Sequence, residues 1–115
     1  MGIQHINLGG KNRPIRYSHR ALRMLAGELG AKSFQDLAAK VTDIGIQDIP
    51  FLTFVGLKEG ARKMGEPFLE TVEIVGEWLD DEDANIFQKV MEALGAGMAG
   101  TSEEEEKKTP AKSKT

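Results

Sequence analysis

At 115 residues the chain has room for one domain, and its 40% apolar content includes one Trp, one Tyr and five Phe, so its core must rest on Leu, Ile, Val, Ala and Met. The lack of cysteine excludes disulfides, thiolate zinc sites and a Cys nucleophile. Net charge is −3, no apolar run approaches the roughly 18 residues of a membrane span, and Met1 to Gly10 lacks the pattern of a signal peptide, so the expectation is a cytoplasmic protein with no membrane partner.

In chain order, Ile3 to Leu8 and Arg13 to Tyr17 flank Gly9-Gly10-Lys11-Asn12 and read as a β-hairpin. Ile6 and Leu8 share a face with Ile15 and Tyr17, and Pro14 must turn its missing N–H away from the partner strand. A two-stranded ribbon is marginal alone, so its apolar face is expected on the helices that follow. Ser18 caps a helix with Ala21, Leu22, Leu25, Ala26 and Leu29 at helical spacing and Gly30 as its stop. Ser33 and Asp36 open a second helix, ending near Thr42, with Phe34, Leu37, Ala38 and Val41 as its stripe. Pro50 starts a third, apolar nearly all round at Phe51, Leu52, Phe54, Val55 and Leu57, which places residues 49–57 at the centre of the core.

Gly65 and Pro67 interrupt the pattern before Thr71 caps a fourth helix that runs to about Leu79, with Glu73 in its first turn. Asp80 or Asp81 is expected to open a fifth, with Ala84, Phe87, Val90, Met91 and Leu94 as its stripe and an end at the Gly-Ala-Gly-Met-Ala-Gly run. The fold class is therefore mainly α with a short N-terminal hairpin: about five helices in one small domain, residues 1–98. Residues 99–115 lack core-forming side chains and are expected to form a disordered, charged tail.

Charge is unevenly distributed. Residues 1–30 carry Lys11, Arg13, Arg16, Arg20 and Arg23 against Glu28, a local +4. Residues 66–85 carry Glu66, Glu70, Glu73, Glu77, Asp80, Asp81, Glu82 and Asp83 with no cation, a local −8. This asymmetry predicts self-association, with Arg16 and Arg20 of one copy near the Glu73 to Asp83 region of another.

No motif for chemistry survives inspection. His5 and His19 lack further metal ligands. Asp81, Asp83, Asn85 and Glu92 match positions 1, 3, 5 and 12 of a calcium loop, but position 6 calls for Gly and is Ile86, and acidic residues opening a helix account for the same letters. Gly9-Gly10-Lys11 lacks the spacing of a phosphate loop, and no GxSxG nucleophile context occurs. The expectation is a non-enzymatic binding protein with no catalytic residue, cofactor or metal. The Arg13 to Arg23 face suggests a rival class, a small nucleic-acid-binding regulator, but the acidic balance and the scarcity of aromatic platforms count against it. Surface chemistry nominates Arg16, Arg20, Arg23, Glu73, Glu77, Trp78, Asp81, Asp83 and Met91 for protein binding.

The opening Ile6-Asn7-Leu8-Gly9-Gly10-Lys11, Pro14-Ile15-Arg16-Tyr17 and Ser18-His19-Arg20-Ala21-Leu22-Arg23-Met24-Leu25 resembles the tail assembly chaperones of long-tailed bacteriophages and gene transfer agents. Phe54-Val55-Gly56-Leu57-Lys58, Thr71 to Asp80 and the closing amphipathic helix extend the likeness over residues 3 to about 95. The resemblance implies a protein absent from the finished virion that binds the tape measure protein, keeps it soluble and helps recruit tail tube subunits. It also implies a longer product made by ribosomal frameshifting, for which Glu106-Lys107-Lys108 is a plausible slippage position.

Overall fold

The computed structural model describes the backbone of residues 3–114 and the side chains of residues 3–100. It is mainly helical with an N-terminal antiparallel hairpin, as the sequence predicts. The strands β1 (Gln4–Leu8) and β2 (Lys11–Ile15) pair in register from Gln4 opposite Ile15 to Leu8 opposite Lys11. The loop is thus Gly9-Gly10 alone, shorter than the four residues expected. Both glycines have positive φ, 64° and 81°, as a two-residue turn matched to strand twist requires. Counting from this turn places Pro14 at a non-hydrogen-bonded position, where its missing N–H takes nothing from the ladder.

Three of the five helices begin as read. Ser18 Oγ accepts from the Ala21 amide at the start of α1 (His19–Leu29), Ser33 Oγ from Asp36 before α2 (Phe34–Thr42), and Thr71 Oγ1 from Ile74 before α4 (Val72–Asp80). Gly30 ends α1 in the left-handed region. A 3-10 turn, Ile46–Asp48, leads into α3 (Ile49–Lys63), which has Pro50 in its first turn.

The helix α3 is the hub, packing against β2, α1, α4 and α5. Leu52, Val55 and Leu57 are fully buried there, among Leu8, Ile15, Leu22, Leu25, Val75, Val90 and Leu94. Its glycines allow close approach. A Cβ at Gly60 would collide with the Pro14 carbonyl, and one at Gly56 would lie 2.5 Å from the Tyr17 ring. The outer edge of β2 therefore lies directly on α3, and Arg16 N–H donates to Gly56 O at 3.0 Å.

Two expectations at the C-terminal side are corrected. The fifth helix, α5 (Ala84–Lys114), opens after Asp83, whose carboxylate accepts from the Asn85 amide at 2.9 Å; Asp80 and Asp81 instead close α4. Nor does α5 stop at the glycine run from Gly95 to Gly100. A lone glycine costs a helix only about 1 kcal/mol, and Gly97 is a packing position where a Cβ would strike the Tyr17 carbonyl. The helical backbone continues into the tail predicted to be disordered at 99–115; the side chains from 101 onward lie outside the described residues.

Candidate functional site

The basic face expected from Arg13 to Arg23 does not exist as a unit. Residues on one strand alternate between faces, and Arg13 shares its parity with Ile15 and Tyr17, so it points into the molecule. It is 8% exposed. Its Nε donates to Leu8 O at 2.6 Å and its guanidinium stacks 4.1 Å from the centre of the Trp78 ring. The indole also covers Gly9, where a Cβ would collide with it. Trp78, nominated for binding a partner, thus holds α4 against the hairpin turn.

Arg20 is engaged as well. Glu59 on α3 is 1% exposed, and its Oε1 accepts from Ser18 Oγ at 3.0 Å. Arg20 Nε stands 3.3 Å from Oε2, near enough for charge pairing but without hydrogen-bond alignment, so Oε2 is buried with no donor. Arg62 approaches Oε1 at 3.6 Å. This group ties the β2–α1 junction to α3, since Ser18 caps α1 and donates to Glu59 at once. Sequence reading missed Glu59, although Leu52, Gly56 and Glu59 follow the four- and seven-residue spacing of one helix face. Of the four arginines, Arg16 is half-buried and Arg23 is exposed with no ion pair among the described residues.

The acidic side is open. Glu73, Glu77, Asp81 and Asp83 are exposed, as are Glu66, Asp80 and Glu82. None forms an ion pair among the described residues, whose two ion pairs both involve Glu59. Apolar side chains stand among these carboxylates: Leu69 is 87% exposed, Met64 50% and Ile74 38%. Half-buried Phe51, Phe54 and Phe68 form a chain of rings with centroids 6.4 and 6.0 Å apart, and Lys58 lies 5.7 Å from the Phe54 ring. Met91, also nominated, is half-buried against the core.

An open groove of about 350 Å³ lies between α1 and α2. Leu22, Ala26, Phe34 and Leu37 line it, and the exposed cations Arg23 and Lys32 flank it. Among the described residues no group of acidic or histidine side chains is placed to hold a metal ion, and no helix is long and apolar enough to cross a membrane. No protein-family profile, curated protein or solved structure matches this chain.

Proposed function

We propose that the chain is a tail assembly chaperone of a long-tailed phage or gene transfer agent, acting in the host bacterial cytoplasm on the tape measure protein and absent from the finished virion. The observation that carries this reading is the surface of α4 and the connection before it, where Met64 and Ile74 are exposed among carboxylates that have no cation partner among the described residues. An amphipathic helix with apolar faces, exposed until a tail tube encloses it, needs a cover that binds reversibly. Apolar side chains set in a solvated acidic border provide one, because the border keeps the free protein soluble while the apolar atoms supply the contact. Recruitment of tail tube subunits, directly or through a longer frameshifted product, belongs to the same reading.

The test is co-expression with the tape measure protein of the same phage or gene transfer agent. The tape measure is expected to be soluble with the wild-type chain and insoluble without it. A Met64→Ser, Ile74→Ser double variant should fold yet lose most of this effect. A tape measure protein equally insoluble in both cases would overturn the reading.

A further inference from the structure

We infer that the α1–α2 groove receives the Glu66–Glu70 segment of a second copy of this chain, with Leu69 as the anchor and Glu66 and Glu70 facing Lys32 and Arg23. The inference stands on these two surfaces alone and does not depend on the chaperone reading.

The groove has the composition of a peptide seat. Five of the nine residues lining it are apolar, with His19, Arg23, Lys32 and Ser33 completing it; about 350 Å³ is open to solvent, and a leucine side chain fills part of that space. The cations beside it are available: neither Arg23 nor Lys32 forms an ion pair among the described residues. The nearby Asp36 carboxylate already accepts from the Lys32 backbone amide at 3.0 Å. The complementary ligand is therefore a short segment with one large apolar side chain and a carboxylate on either side.

This chain displays such a segment. A single exposed leucine is ordinary on a protein surface, but Leu69 is almost fully exposed while its neighbour Phe68 is held against Phe54. The segment is fixed at both ends. Glu66 N–H donates to Ala61 O at 2.8 Å, and Thr71 caps α4. Between them, residues 67–70 make no backbone–backbone hydrogen bond among the described residues, which leaves the amides of residues 68–70 and the carbonyls of residues 67–70 without a backbone partner there. A segment fixed in this way loses little conformational freedom on docking.

Charge complementarity selects the occupant. The segment brings two carboxylates to two cations, whereas of Arg16 and Arg20, the cations first expected to meet a neighbour, Arg16 is half-buried and Arg20 is held by Glu59. The two surfaces lie on different elements, so the contact is head-to-tail and its products are rings or filaments. One anchor and two charge pairs make a small interface, which sets the expectation of concentration-dependent and salt-dependent association.

Sedimentation velocity of the full chain at low salt, over a range of concentrations, tests the contact with two charge reversals. Arg23→Glu and Glu70→Arg are each expected to raise the concentration needed for association by about tenfold or more. Circular dichroism should show both variants folded, since neither position belongs to the core. Mixed in equal amounts, the two variants should associate again, because each reversed groove then meets a reversed segment. A wild-type chain that stays monomeric at every concentration would overturn the inference. So would a single reversal that assembles like wild type, or a mixture that stays apart.

Discussion

Tyr17 is clamped from three directions: its hydroxyl donates to Leu52 O at 2.6 Å, its ring lies against Gly56, and its backbone carbonyl meets Gly97. Burial pushes the phenol well above its usual ionisation range. The folded chain thus holds a proton that the unfolded chain releases near pH 10. A raised folded-state pKa leaves the contribution intact below about pH 10 and removes it as pH climbs toward the folded value, at up to about 1.4 kcal/mol per unit. Tyr17→Phe is expected to lose about 1 kcal/mol at neutral pH with the hydrogen bond, yet to decline less steeply than wild type above about pH 10. Urea unfolding across that range checks this, and parallel curves would refute it. The arginines make a second contrast. Arg20→Met should cost about 1–2 kcal/mol by leaving buried Glu59 Oε2 without its nearest cation, whereas Arg23→Met should stay within about 0.5 kcal/mol. Thermal melts of the two variants compare them directly. Alternation along β2 was enough to turn Arg13 inward beside Ile15 and Tyr17; counting it with Arg16, Arg20 and Arg23 by charge alone placed it on the wrong face.

Elements whose boundaries rest on local chemistry were readable from the sequence. Ser18, Ser33 and Thr71 each cap the helix predicted, and Gly30 and Pro50 stand at the ends expected of them, because a cap requires only residues within one turn. The glycines of α5 were misread because their reason is distant in sequence. Gly97 is small for the sake of the Tyr17 backbone, some eighty positions earlier, whereas a Cβ at Gly95 would meet nothing within 4 Å. A paired experiment separates the two. Gly95→Ala is expected to stabilise the protein by up to about 1 kcal/mol through helix propensity, and Gly97→Ala to destabilise it by about 1–3 kcal/mol through overpacking. Chemical denaturation of both variants measures the difference, and equal effects would mean that α5 does not pack on Tyr17 in solution.

At the scale of the molecule, the charge asymmetry was plain in the sequence, but which charges remain available was not. Pairing removes Arg13 and Arg20 from the basic end, while Glu66, Glu73, Glu77 and residues 80–83 stay exposed at the acidic one. The exposed Leu69 also escaped notice, since an apolar pair between two glutamates reads as ordinary loop until its burial is known. These changes sharpen the choice between an apolar cover for a helical partner and a phosphate-binding face. Binding that neutralises phosphates releases counterions, so a complex with six or more such contacts loses about a thousandfold in affinity between 50 and 200 mM salt. Apolar contact with a helix lacks that term and is hardly weakened by the same change. Fluorescence anisotropy should therefore find binding of a labelled helical segment of the tape measure protein changed by less than about threefold over this interval. An oligonucleotide should show no comparable affinity even at the lower salt. A steep salt dependence for the helical segment, or tight low-salt binding of the oligonucleotide, would move the assignment to the nucleic-acid class despite the inward turn of Arg13.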